Sequence, residues 1–204
     1  MQITAIEPRR KGLSALYIDG EFAMKLDTET LLAQRFDVGR EIDDEALHEC
    51  IRASDAKRCK DKALWLIGYR DHSRRELVDK LRRDYPEEVC EKAVDRLEEL
   101  GLIDDSRFAR RYTADLIHLK RLSERGVRQK LREKGIDRDL IDEIMNEFVI
   151  DEDDQIRAII EKKYARSLSD EKGRRRCANA LARLGFSYAG IKSVMAEYTE
   201  IEEY

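Results

Sequence analysis

The segment Ser123-Glu-Arg-Gly-Val-Arg-Gln-Lys-Leu131 decides the reading of this chain, because it repeats Ser73-Arg-Arg-Glu-Leu-Val-Asp-Lys-Leu81 at an offset of fifty residues. A third copy, Gly173-Arg-Arg-Arg-Cys-Ala-Asn-Ala-Leu181, follows at the same offset. The match runs on: Leu184-Gly-Phe186 answers Lys134-Gly-Ile136, and Ile191, Val194 and Met195 answer Ile141, Ile144 and Met145. The first copy needs a one-residue gap around Asp84-Tyr85-Pro86. Apolar residues three or four apart within each copy mark helices with one buried face. A helix-only unit of this size cannot bury its own apolar faces and must stack on its neighbours. The expected fold is therefore mainly α, a tandem repeat of three three-helix units forming a short curved solenoid.

Outward from these copies, the spacing predicts helices near 44–69, 74–83, 87–100, 105–120, 124–134, 138–149, 153–167, 172–184 and 188–198. Their core stripes are Leu77 and Leu81; Val89, Ala93, Leu97 and Leu100; Phe108, Tyr112 and Leu116; Val127 and Leu131; and Leu140, Ile141, Ile144, Met145 and Phe148. Only the first fifty or so residues carry strand signals. In Ala15-Leu-Tyr-Ile-Asp-Gly-Glu-Phe-Ala-Met-Lys-Leu26, two alternating runs flank Asp19-Gly20, a dipeptide suited to the positive φ angles of a tight hairpin turn. Ile3 to Glu7 is a candidate third strand, and Asp27 caps a short helix through Leu31 and Leu32. An isolated hairpin is marginal, so this appendage must pack on something. The expected divisions are an appendage at 1–50 and three-helix repeats at 51–103, 104–151 and 152–204.

Composition agrees with exposed helices: of 204 residues, 41 % are charged, 42 % are apolar, and only two are proline. The N-terminus, Met1-Gln-Ile-Thr-Ala-Ile-Glu7, has no basic region leading into an apolar stretch, and nowhere do eighteen apolar residues run together. Neither a signal peptide nor a membrane span is expected, and the protein is expected in the cytoplasm. Cys50, Cys59, Cys90 and Cys177 form no Cys-x-x-Cys pair and stand at no ligand spacing from His48, His72 or His118. They read as reduced thiols, with no zinc site.

Catalytic motifs are not found: there is no phosphate loop, no Gly-x-Ser-x-Gly elbow, and no His-Glu-x-x-His. Asp104-Asp105 and Asp151-Glu-Asp-Asp154 raise the question of a divalent-ion site, but acidic residues at a helix start suit capping and the helix dipole better. A protein that binds rather than catalyses, without metal or cofactor, is the expectation.

The net charge of −4 conceals segregation. Residues 118–134 hold seven lysines and arginines against two glutamates, whereas residues 141–155 hold seven acidic residues and no basic one. Ser73-Arg-Arg-Glu76 is a capping box, with Ser123 equivalent in the second copy. Arg75, Arg125 and Arg175 then fall near a helix N-terminus, where the macrodipole disfavours a cation, so something else must favour them. Arg125, Arg128 and Arg132 share a stripe that Arg75 and Arg82 repeat in part. Arg70, Arg74 and Arg83 gather at the first helix corner and Lys120 and Arg121 at the second. The third copy has Ala178 and Ala182 in place of Arg128 and Arg132, with Lys172, Arg174, Arg175 and Arg176 as the substitute cluster. A charge run is often a mere solvated helix face, but recurrence at the repeat offset favours a basic ridge facing phosphates or an acidic protein groove. Sparse aromatics argue against base stacking.

These residues resemble the RecX family of RecA regulators over essentially the whole chain. The resemblance rests on Ala63-Leu64 with Leu66 and Tyr69-Arg70, the Ser73-Arg-Arg-Glu-Leu77 start with Lys80-Leu81, Gly101-Leu-Ile-Asp-Asp105 with Phe108-Ala109 and Tyr112, and Lys130-Leu131 through Lys134-Gly-Ile136. Ile3-Thr-Ala-Ile-Glu-Pro8 and Tyr17-Ile-Asp-Gly-Glu21 look like the extension of longer members. The resemblance implies a cytoplasmic, monomeric modulator of recombination, DNA repair and the SOS response. It would lie along a RecA filament on single-stranded DNA and suppress ATP hydrolysis and strand exchange, its contact residues being the cations of the ridge. The alternatives are a helical repeat that binds nucleic acid directly, with no recombinase, and a protein scaffold unconnected with DNA.

Overall fold

The computed structural model describes residues 1–199, so the last five residues of the repeat expected at 152–204 lie outside the described residues. The chain forms two compact units, Met1–Ile103 and Asp104–Tyr204.

The first unit opens with an antiparallel sheet in the order β1 (Ile3–Pro8), β2 (Leu13–Ile18) and β3 (Glu21–Asp27). The β2–β3 turn is the expected one: Asp19 and Gly20 have φ of 51° and 88°, the left-handed pair that a two-residue hairpin needs. The Asp27 carboxylate accepts from the Thr30 N–H and caps α1 (Thr28–Ala33). What the hairpin packs on is α2 (Asp44–Tyr69), whose first half closes a core of Ile3, Leu16, Leu26, Leu31, Phe36, Ile42 and Cys50. The Ser54 hydroxyl accepts from the Asp27 N–H at 2.8 Å, and Lys57 Nζ reaches the Asp27 carboxylate at 2.9 Å. Because α2 continues unbroken through residue 50, the sheet and the first three-helix repeat share one helix.

The second half of α2 packs with α3 (Arg74–Leu81) and α4 (Glu87–Glu99) around Cys59, Ala63, Leu77, Val78, Leu81, Tyr85, Cys90, Val94 and Leu97. The stripe expected on α4 holds at Leu97 and is one residue out of register before it. Cys90, Val94 and Leu97 are fully buried, Val89 and Ala93 flank them, and Leu100 is half exposed because it is the C-cap of the helix.

In the second unit, α5 (Asp105–His118), α6 (Glu124–Glu133) and α7 (Arg138–Asn146) enclose Phe108, Ala109, Leu116, Val127, Leu131, Ile141, Ile144 and Met145. Asp104, one of the two carboxylates expected at this helix start, caps α5, accepting from the Arg107 N–H at 2.9 Å. The third repeat follows as α8 (Glu152–Lys163), a 3-10 turn (Ala165–Ser167), α9 (Glu171–Arg183) and α10 (Tyr188–Thr199), around Ile156, Ile160, Cys177, Leu181, Phe186, Ile191 and Val194. One clamp recurs in both repeats of this unit. Arg110 of α5 holds Glu147 at 2.9 Å and Glu143 at 3.0 Å, and Arg157 of α8 holds Glu197 of α10 at 2.9 Å.

The second and third repeats also lock together through backbone. The Ser123 N–H donates to the Leu184 carbonyl at 3.1 Å, and the Cα of Gly126 lies under that carbonyl so closely that a Cβ there would overlap it. Gly185 itself has φ of 100° and faces Ser123 Oγ and the Gly126 amide, where no side chain fits.

Candidate functional site

Helix α3 starts at Ser73, whose hydroxyl accepts from the Glu76 N–H at 3.2 Å. Around this cap the expected cations are engaged within the unit. Arg70 pairs with Glu76 at 2.6 Å, and Arg74 reaches across to α4, meeting Glu91 at 2.9 Å, Glu98 at 3.4 Å and also Asp95. Arg82 pairs with Glu87 and stands 4.0 Å from Asp79, while Arg75 makes only a loose 3.9 Å contact with Asp79 and projects into solvent. Arg74 is thus a staple between α3 and α4, whereas Arg75 is open to a partner.

On α6 the split is the same. Arg125 Nε donates to the Gly185 carbonyl at 3.0 Å, which answers why a cation sits near this helix start: it serves the carbonyl-rich end of α9. Arg128, 27 % exposed, is held by Glu124 at 2.8 Å and by Asp142. Lys120 lies over the Tyr112 ring at 5.9 Å. Arg121 adopts a left-handed φ of 54° in the turn before Leu122. Arg121 and Arg132 are exposed, and neither forms an ion pair among the described residues.

The third copy departs from the expected register. Asp170 caps α9, so the helix begins one turn earlier than α6 does, and Arg175 falls in its second turn rather than its first. The extra turn is possible because Gly173 fits against the Ser167 carbonyl, where a Cβ would overlap. Arg174 donates to the Leu168 carbonyl at 2.9 Å and to that of Ser169 at 3.3 Å. Arg175 and Arg176 are exposed without ion pairs among the described residues.

Arg176 opens onto a feature that the repeat pattern did not reveal. A cleft of about 470 Å³ between the end of α8, the 3-10 turn and α9 is lined by Lys163, Tyr164, Ser167, Arg176, Asn179 and Arg183, together with Ala180. Lys163, Arg176 and Arg183 have no carboxylate partner among the described residues. Arg176, Asn179, Ala180 and Arg183 follow each other at helical spacing, a signal present in the sequence but overlooked beside the repeat. Trp65, and Tyr69, which the sequence brought forward only through the family resemblance, are 69 % and 82 % exposed and one turn apart on α2.

Such an arrangement can hold anions and acidic surfaces, but it assembles no nucleophile with a base. The carboxylates at 104 and 151 are caps, Asp151 accepting from the Asp154 N–H at 2.9 Å. Burial pushes the thiols of Cys50 and Cys177 up to about 11 and that of Cys59 to about 12, so they remain protonated. No helix among the described residues is long and apolar enough to cross a membrane.

With this geometry in view, the three repeats match three family models in order: the RecX first three-helix domain at residues 59–97, the second at 104–145 and the third at 151–195. The chain belongs to the RecX family. It is 32 % identical to the regulatory protein RecX of Clostridium tetani, over 95 % of this chain and 93 % of that one. To the RecX of Clostridioides difficile it is 27 % identical, covering 99 % and 98 %. A crystal structure of regulatory protein RecX superposes with a TM-score of 0.61 at 25 % identity, over 95 % of this chain and 98 % of the other. The RecX of Lactobacillus salivarius shares the fold, with a TM-score of 0.57 at 24 % identity over 72 % of this chain and 99 % of that chain. RecX proteins are regulators rather than known enzymes, and the tandem helical repeat read from the sequence is this family's architecture.

Proposed function

We propose that this RecX protein regulates a RecA-type recombinase in the cytoplasm, binding as a monomer to the filament on single-stranded DNA and lowering its ATPase and strand-exchange activities. The observation that carries this reading is the match of all three repeats, in order, to the three RecX domains. Tandem repeats give several weak contacts along a polymeric partner, which multiply through effective concentration. The cations left open supply the complementary charge: Arg75, Arg121, Arg132, Arg175 and Arg176. Arg70, Arg74, Arg82, Arg125, Arg128 and Arg174 support the fold around them, and Lys120 contributes beside Tyr112.

The test is the single-strand-dependent ATPase of the cognate recombinase with added protein. Wild type should inhibit at saturation, and an Arg75/Arg132/Arg176 triple alanine should inhibit at least about tenfold more weakly while keeping its helical spectrum. No inhibition by wild type would sink the proposal.

A second reading, direct nucleic-acid binding without a recombinase, is favoured by the cleft around Lys163, Arg176 and Arg183. Converging cations without carboxylate partners suit a phosphodiester backbone, and affinity for a single-stranded oligonucleotide would then fall steeply with salt.

A further inference from the structure

The recurring Arg–Glu clamp exposes a contrast between repeats. In the second repeat Arg110 of α5 binds Glu143 of α7 and Glu147, the residue that caps the end of that helix one turn on. In the third, Arg157 of α8 binds Glu197 of α10. Superposing buried positions carries the clamp onto the first repeat. Cys59 and Ala63 correspond to Ala109 and Thr113, and Cys90, Val94 and Leu97 correspond to Ile141, Met145 and Phe148. By that register Lys60 stands for Arg110, while Lys92 and Arg96 stand where Glu143 and Glu147 would be.

The seam between first and third helix is therefore closed by opposite charges in two repeats and bordered by like charges in the first. There it remains a groove of about 340 Å³, with Ala56, Val89 and Ala93 on its walls and Arg52, Lys60, Lys92 and Arg96 around it. One carboxylate, Glu88, lines it and is bound by Lys92 at 2.6 Å, one turn along α4. Arg96 meets only Glu99 on its own helix, at 2.7 Å, and Lys60 and Arg52 have no ion pair among the described residues. Like charges facing across a groove repel, and the arrangement is relieved by an anion placed between them.

We propose that this α2–α4 groove is a docking site for an acidic segment of a partner protein, one presenting two carboxylates a helical turn apart beside a small apolar side chain. The second repeat displays the chemistry inside the same molecule, since Glu143 and Glu147 occupy the corresponding place. The apolar walls favour a protein segment over a phosphate backbone, which would bring no apolar group to the groove side of Ala56, Val89 and Ala93. The site is independent of the recombinase reading, because it rests on the first unit alone.

Fluorescence anisotropy on the full chain provides the test, with a labelled helix-forming peptide of roughly 15 residues carrying Glu pairs four apart among alanines and leucines. A Gln-for-Glu version of the peptide and a single-stranded oligonucleotide serve as comparisons. The Glu peptide should bind, and the Gln peptide should bind at least about tenfold more weakly. Lys60→Glu and Arg96→Glu should each weaken Glu-peptide binding by a similar factor, and Lys60→Gln by less. Lys60→Glu restores an opposite-charge pair with Arg96 across the seam, so it should melt at or above the wild-type temperature. The proposal is overturned if the Glu peptide does not bind, if the Gln peptide binds equally, or if all three variants bind as wild type. It is overturned as well if the oligonucleotide displaces the peptide and itself loses affinity in Lys60→Glu.

Discussion

The Ser123 N–H and the Leu184 carbonyl are joined at 3.1 Å, tying the start of α6 to the end of α9 across sixty-one residues of chain. Gly126 makes this approach possible from one side and Gly185 from the other. An added methyl at Gly126 meets the Leu184 carbonyl, and at Gly185 it meets Ser123 Oγ in a left-handed backbone that L-residues resist. Gly126→Ala and Gly185→Ala should each destabilise the second unit by roughly 1–3 kcal/mol. Hydrogen exchange at the Ser123 amide should accelerate in both variants. Unchanged exchange would show that the junction tolerates the methyl.

His72 sets a pH dependence. It is 4 % exposed, its Nδ1 lies 2.8 Å from the Arg70 carbonyl oxygen, and its Nε2 has no hydrogen-bond partner among the described residues. Burial holds the imidazole below its usual 6.5, against the opposing influence of the hydrogen bond to Arg70. The unfolded chain, titrating near 6.5, therefore takes up a proton that the folded chain resists. This contribution to stability is complete above about pH 6.5 and declines as pH falls from there toward the folded value. Between about pH 7.5 and pH 5.5 the melting temperature of wild type should drop further than that of His72→Asn, whose amide can donate in place of Nδ1–H. Parallel curves for the two proteins would remove His72 from the account.

The four thiols should be silent in the native state. Cys50, Cys59, Cys90 and Cys177 are all buried, and burial raises each of them, three to about 11 or 12. Thiolate is the reactive form, so an aromatic disulfide reagent at neutral pH should label native protein slowly. All four should react at once in guanidinium chloride. Rapid labelling of any one under native conditions would mean that the core around it opens easily.

Periodicity made the helical repeat legible, because the buried faces of α6, α7, α9 and α10 recur at one offset and each face must be covered. Asp19-Gly20 and Asp27 were equally plain, since turn and cap chemistry is local. The α4 register was not. Val89, Cys90, Ala93 and Val94 are all apolar, and only the packing of α2 selects Cys90 and Val94 as the innermost pair. The surface was legible least of all. A count of arginines cannot tell Arg74, stapled to three carboxylates of α4, from Arg75 beside it, because partners lie on other helices. Nor could an offset of fifty find the cleft at Lys163, which depends on a 3-10 turn that the other repeats do not have.

That division of the arginines is itself testable, because the two kinds should fail differently. Arg125→Ala removes the donor to the Gly185 carbonyl and should lower the melting temperature by about 2–4 °C, a charged but solvent-exposed hydrogen bond being worth a modest amount. Arg176→Ala with Arg183→Ala removes side chains that form no ion pair or hydrogen bond among the described residues, so the melting temperature should stay within about 1 °C of wild type. If the cleft takes a phosphate backbone, the same double variant should reduce the salt dependence of oligonucleotide binding by about one phosphate contact per arginine removed. Arg125→Ala should leave that slope alone. A slope unchanged by the double variant, or moved equally by Arg125→Ala, would show that nucleic acid does not use this cleft. It would return the open arginines of the third repeat to the protein partner.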